Sequence, residues 1–217
     1  MKIDITEQLG AVTRTFRKRD YNGQPAYVVI ASRTYDTTVD DLWEALTSKE
    51  RLPRWFLPVE GDLELGGRYQ LKGNAGGTVT RCDPPNAFGV TWEFGGDTSW
   101  LEVRLQPTRD GTTFLELEHI AHVPDDKWKQ FGPGAVGVGW DMTLYGLALH
   151  IGTGAPNDAG KFMAWIGSPE GKGFIRHSSD DWCRAAIDGG TDPETAKGSA
   201  ARTTAAYTGE PAPDAAP

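Results

Sequence analysis

Two hydrophobic periods divide this chain. Through the first half apolar and polar positions alternate with the period of two that marks strands. Residues 12–18 alternate loosely and residues 26–34 are rich in β-branched side chains. Tyr21-Asn22-Gly23-Gln24-Pro25 between them is turn chemistry, so the chain is predicted to open with a β-hairpin. Five more strands are predicted over residues 68–72, 77–82, 88–94, 99–106 and 112–119. The connections are Gly73-Asn74-Ala75-Gly76-Gly77, Asp83-Pro84-Pro85-Asn86, Gly95-Gly96-Asp97 and Arg109-Asp110-Gly111, each suited to a tight reversal. This pattern is an antiparallel meander. Leu101, Val103 and Leu105 alternate with Glu102 and Arg104, and Leu115 and Leu117 with Glu116 and Glu118, which predicts one buried and one wet face.

The helical period appears in three places. Thr37 or Thr38 can cap a helix whose first turn holds Asp40 and Asp41 and whose apolar positions are Leu42, Trp43, Ala45 and Leu46. A short second helix over residues 49–55 follows, interrupted by Pro53. After a helical turn at residues 125–131, Val136, Trp140, Leu144, Leu147 and Ile151 recur at steps of four, four, three and four, which predicts a long helix covering the sheet. Residues 158–208 predict two helices, announced by Ser168-Pro169-Glu170 and Asp192-Pro193-Glu194 and parted by Gly189-Gly190. They carry too little apolar surface for a core of their own. The sequence Gly-Glu-Pro-Ala-Pro-Asp-Ala-Ala-Pro at 209–217 reads as a disordered tail.

Composition narrows the function. The 217 residues suffice for one large domain or one domain with an extension. Thirty acidic against 22 basic side chains give a net charge of −8, the wrong sign for coating nucleic acid or an anionic membrane. Cys82 and Cys183 are too few for a disulfide scaffold or a zinc cage. With Lys2, Asp4 and Glu7 near the start and no run of 18 apolar residues, the expectation is a cytoplasmic protein without export signal or membrane span. Eight tryptophans imply either a well-filled core or an aromatic-lined cavity. The abundance of Ala, Gly, Asp and Thr and scarcity of Lys and Ile fit a high-GC bacterial gene.

Several short motifs occur in a telling order: Arg54-Trp55-Phe56-Leu57-Pro58, Gly66-Gly67-Arg68-Tyr69, Asp83-Pro84-Pro85 leading to Val90-Thr91-Trp92, Gly111-Thr112 leading to His119, and Gly139-Trp140. Over residues 26–153 the chain resembles the SRPBCC (START/Bet v 1-like) superfamily, and within it the branch of the activator of the heat-shock-protein-90 ATPase. The resemblance implies an α+β helix-grip fold, a curved antiparallel sheet around a long C-terminal helix with an apolar cavity between them. It implies no single activity, because the superfamily includes lipid carriers, hormone receptors, polyketide cyclases and chaperone activators. The expected organisation is a helix-grip domain over 1–153 that includes the hairpin strand at 9–25, a helical extension over 154–208 packed on it, and the tail.

Inward positions on the predicted strands are Tyr69, Leu71, Trp92, Leu101, Val103, Leu115, Leu117 and His119. Trp140, Leu144 and Leu147 face them from the helix, with Trp55 and Phe56 near one mouth. Such a space would accept a ligand if it is open, and the same side chains would fill it if it is not. His119 and Asp141 are the weak catalytic candidates, since an imidazole beside a carboxylate can move protons; a buried histidine bonded to a neighbour is the alternative. His119 and His122 face opposite sides of a strand, and no set of metal ligands or cofactor motif is expected. The 73–77 glycines lack the Gly-Lys-Ser/Thr ending of a phosphate loop, and Gly132-Pro133-Gly134 reads as a turn or as a gate beside the covering helix. The expected function is non-catalytic binding of a small hydrophobic or aromatic molecule. A chaperone-activator-like protein-interaction module and a cyclase or hydrolase acting on an aromatic polyketide-like substrate are the alternatives.

Overall fold

The alternation read in the sequence becomes one sheet. The computed structural model describes residues 5–211. In chain order the elements are α1 (Ile5–Gly10), β1 (Thr13–Tyr21), β2 (Gln24–Tyr35), α2 (Val39–Thr47), α3 (Leu52–Trp55), β3 (Val59–Gly61), β4 (Arg68–Leu71), β5 (Gly76–Asp83), β6 (Ala87–Phe94), β7 (Asp97–Pro107) and β8 (Thr113–Ala121). The helices α4 (Asp125–Phe131), α5 (Gly134–Thr153), α6 (Ala159–Ile166), α7 (Pro169–Asp188) and α8 (Pro193–Thr208) follow. The strands are ordered β1-β2-β8-β7-β6-β5-β4-β3 in an eight-stranded antiparallel sheet. With the long helix α5, this is the expected α+β helix-grip fold.

Local chemistry accounts for the elements. Asn22 and Gly23 adopt φ of 51° and 79°, the left-handed pair that a tight hairpin between twisted strands requires. Of the two candidate caps of α2, Thr38 is the N-cap and accepts from the Asp41 amide, while Thr37 Oγ1 donates to the Asp41 carboxylate at 2.7 Å. The strand β3 is absent from the sequence expectation. Its three residues are too few to show a period, and it exists through its pairing with β4, Val59 opposite Leu71 and Gly61 opposite Tyr69.

The chain forms two compact units whose boundaries fall inside β2 and inside α5. One unit comprises Ser32–Ala121 and Thr143–Asn157. Here β7 pairs β8 in the register Leu101 to His119, Val103 to Leu117 and Leu105 to Leu115, and all six side chains are buried. The opposite face departs from expectation. Glu118 is only 2% exposed, held by Arg104 Nη1 at 3.2 Å, and Arg104 also pairs Glu102 and Glu116. Sequence alternation signals only which face a residue is on, not whether that face is solvated. The C-terminal half of α5 is tied to the segment that follows it, to the end of β2 and to the α2–α3 segment. Asn157 Nδ2 donates to the Gly146 carbonyl at 2.8 Å, Tyr35 Oη to the Leu144 carbonyl at 3.0 Å, and Arg51 bridges Asp41 and the buried His150.

The other unit comprises the described residues of Met1–Ala31, His122–Met142 and Asp158–Pro217. Its core holds Phe174, Ile175 and Trp182, each at most 1% exposed. Three helices follow α5 rather than the two expected, because Asp158 caps the additional helix α6 by accepting from the Lys161 amide. The glycines at 132–139 are a packing surface. A Cβ on Gly137 would lie 2.3 Å from Trp182 Cε2, one on Gly134 3.1 Å from Thr203 Cγ2, and one on Gly132 3.3 Å from Ser199 Cβ. The predicted tail lies outside the described residues from 212 onward. Gly209 caps α8 in a left-handed conformation, and Glu210 pairs with Arg176 at 2.6 Å.

Candidate functional site

The strand positions read as inward come together on one face of the sheet. Leu101 and His119 are register partners, as are Val103 and Leu117, and Val90 of β6 lies opposite Leu101. Tyr69 and Leu71 on β4 are buried, and Trp92 on β6, opposite Ser99, is half-buried. On α5, Leu144 is 2% exposed and Leu147 fully buried. Trp55 is buried, stacks on the half-buried Phe56 at 5.5 Å and donates its indole N–H to the Ala45 carbonyl at 2.9 Å, which fixes the end of α2 against α3.

This face is apolar between two polar ends: at one, the buried Thr113 hydroxyl donates to the Thr37 carbonyl at 2.7 Å, and at the other stand Ser99 and His119. His119 Nε2 lies 2.8 Å from Ser99 Oγ, and Ser99 Oγ donates to the Trp92 carbonyl at 3.2 Å. With the hydroxyl hydrogen directed to that carbonyl, His119 Nε2–H donates to Ser99 and one lone pair of the hydroxyl stays open. Burial pushes the His119 imidazole down to about 4, so it is neutral near pH 7. The Trp92 and His119 rings are tilted neighbours, 6.4 Å apart. Tyr69 Oη donates to the Thr91 carbonyl at 2.8 Å, and burial raises its phenol well above the ordinary value. Ser99 is absent from the sequence expectation. It is a small polar residue on an otherwise apolar register, and the break in alternation at that position was the available signal.

Trp140 and Asp141 belong to the unit that contains α7. Trp140 is 7% exposed. Asp141 Oδ2 accepts from Arg14 Nε at 2.9 Å, Trp182 Nε1 at 3.1 Å and Ser178 Oγ, while Oδ1 has no hydrogen-bond partner. Arg14 also pairs Asp181 at 2.9 Å. Burial pushes the Asp141 carboxyl up, opposed by Arg14, Ser178 and Trp182. The geometry is that of a buried ionic anchor joining β1, α5 and α7. Among the described residues no group of three or more His, Cys, Asp or Glu side chains is arranged to hold a metal ion. No helix among them is long and apolar enough to cross a membrane.

The comparisons agree with this architecture. A family model described as activator of Hsp90 ATPase homolog 1-like protein matches residues 36–152. The crystal structure of CalU16 from Micromonospora echinospora is 32% identical, with a TM-score of 0.64, over 82% of this chain and 99% of that one. Its solution structure gives 31% identity and a TM-score of 0.69 over 82% and 97%. DynU16, from the dynemicin biosynthetic locus, shares the fold at 19% identity and a TM-score of 0.53, over 59% of this chain and 48% of that one. Among curated proteins none matches. The family model spans more than half of the chain, and CalU16 is similar along nearly its whole length; this chain belongs to the activator of Hsp90 ATPase homolog 1-like family.

Proposed function

We propose that this chain binds a small hydrophobic or aromatic molecule against the inward face of its sheet, without transforming it. One observation carries the proposal: a polar pair, Ser99 and His119, stands at the edge of the apolar stretch Leu101, Val103, Leu115 and Leu117, whose far end is closed by Thr113 bonded to the Thr37 carbonyl. Ligand sites combine an apolar wall with few convergent polar groups in this way. The wall supplies affinity through burial, and the open lone pair on Ser99 favours a ligand that brings a hydroxyl or N–H donor. Leu144, Leu147, Trp55 and Phe56 are the proposed remainder of the lining.

A titration with 2-naphthol and a library of neutral hydrophobic compounds, followed by tryptophan fluorescence and thermal shift, tests this. The expected result is saturable binding by at least one phenolic compound, with stabilisation of about 2.7 kcal/mol at a hundredfold excess over Kd. Ser99→Ala is expected to weaken the phenol about tenfold while sparing its methyl ether, a loss of about one hydrogen bond. No saturable binding by any compound to the folded protein would overturn the proposal.

A second reading is supported by the same pair. Turning the Ser99 hydroxyl hydrogen from the Trp92 carbonyl to His119 Nε2 would make the neutral imidazole a base for a serine nucleophile, the arrangement of a hydrolase or cyclase. His119→Gln would then abolish turnover of an aryl ester while leaving 2-naphthol affinity within about threefold.

A further inference from the structure

A cleft in the unit that contains α7 has its own chemistry. It lies wholly within that unit, encloses about 190 Å³, and is lined by β1, β2, α4, the α7–α8 turn and the first turns of α8. Its aromatic wall is rigid. The Tyr27 and Trp128 rings stack at 4.0 Å with an interplanar angle of 8°, and Phe16 stacks on Trp128 at 5.0 Å. Phe16 is 2% and Tyr27 8% exposed, so the sheet holds the platform on which the half-buried indole of Trp128 rests. Burial, aided by Asp125, raises the Tyr27 phenol to about 12.

Four charged side chains line the cleft, and they are not equivalent. Asp125 accepts the Tyr27 hydroxyl. Asp192 caps α8, accepting from the Thr195 amide and hydroxyl at 2.9 Å each. Both acids are therefore engaged by the cleft's own walls. Lys18 and Lys129 have no carboxylate partner among the described residues, and the Lys18 ammonium stands 5.0 Å over the Tyr27 ring. The cleft thus offers a flat aromatic surface, two unpaired ammonium groups and the positive end of the 16-residue helix α8. The two lysines and two acids sum to zero, so on a chain of net charge −8 the cleft is locally less acidic than the molecule as a whole.

We propose that this cleft is a second binding site, selective for a small planar aromatic carboxylate. The volume is below the roughly 300–1,000 Å³ of drug-sized sites, which limits the occupant to one or two fused rings. The rings would stack beside Trp128 while the carboxylate meets Lys18 or Lys129, a cation pairing that a neutral or cationic aromatic cannot make.

The test uses the full chain, isotope-labelled, with 2-naphthoate as probe, and 2-naphthol and 2-naphthylmethylammonium as its neutral and cationic counterparts. Amide shifts are expected at Lys18, Trp128, Thr191 and Ser199, with naphthoate at least about tenfold tighter than either counterpart and weaker at high salt. Lys18→Gln and Lys129→Gln, both on the surface, should each lower naphthoate affinity about three- to tenfold with unchanged circular dichroism and Tm. Equal binding of the three probes, shifts confined to the Leu101–His119 face, or no shift at millimolar naphthoate would each overturn the proposal. Shifts at these amides with naphthoate, together with none at the sheet face with 2-naphthol, would uphold this site while counting against the proposed main one.

Discussion

Replacing Gly137 by alanine probes how α5 is seated. The added methyl would lie 2.3 Å from Trp182 Cε2 and 2.6 Å from Nε1, whereas ordinary contacts begin near 3.4 Å. The clash requires the indole or the helix to shift by about 1 Å within a close-packed interior, since Trp182 is 1% exposed. Overpacking of this kind costs about 1–3 kcal/mol. The displacement also stretches the 3.1 Å bond from Trp182 to the buried Asp141, worth about 1.5–3 kcal/mol for a charged acceptor. Alanine's better helix propensity returns about 1 kcal/mol. The net loss is about 3 kcal/mol, or roughly 6–12 °C in Tm for a chain of this size. Chemical and thermal unfolding followed by circular dichroism measure it. Gly173→Ala, in the second turn of α7 with no heavy atom within 4 Å of the new methyl, is the control and should gain about 0.5–1 kcal/mol. Adding Trp182→Leu to Gly137→Ala should recover part of the loss relative to the sum of the single changes. A Gly137→Ala protein as stable as the parent would refute the packing role of this glycine stretch.

Other perturbations probe other contacts. His119 has its imidazole depressed to about 4 against an unfolded value near 6.5, so unfolding takes up a proton between those pH values; stability is full above pH 6.5 and falls by up to about 3 kcal/mol as pH drops to 4. His119→Gln should flatten that segment of the stability profile, and parallel profiles for the two proteins would refute the assignment. Arg14→Met leaves Asp141 and Asp181 without their shared cation and should cost about 3–5 kcal/mol in denaturant titrations, with Asp141→Asn restoring part of it. Gly171→Ala puts a methyl 2.1 Å from the Trp165 carbonyl oxygen, a backbone atom that cannot rotate away; a Tm drop of under 2 °C would contradict the tight α6–α7 turn, whose opening should cost about 3 kcal/mol.

The hairpin, the meander and α2 were legible because turn chemistry and period two agree there, as at Asn22-Gly23 and Leu101-Val103-Leu105. The stripe Val136, Trp140, Leu144, Leu147, Ile151 captured only part of α5. The helix also buries Gly134, Gly137, Val138, Asp141, Tyr145 and His150, so no single apolar face describes it. Glycines and a buried acid carry no hydrophobic signal, and their role exists only through Trp182, Thr203 and Arg14, distant in sequence. The same holds for Glu118, polar by type yet buried beside Arg104. At the candidate site the inward strand residues were readable from alternation, but Ser99 became part of it only through the 2.8 Å contact with His119. The Lys18–Trp128 cleft draws on β1, β2, α4, α7 and α8 together, and no local pattern in the sequence joins them.

The most direct test of ligand binding at the sheet is a methyl-labelled spectrum of the protein saturated with 2-naphthol. Intermolecular contacts from the naphthol ring to the methyl groups of Leu101, Val103, Leu115 and Leu117, with a shift of the His119 ring, are the predicted result. Contacts confined to other methyl groups, or none at saturation, would contradict it.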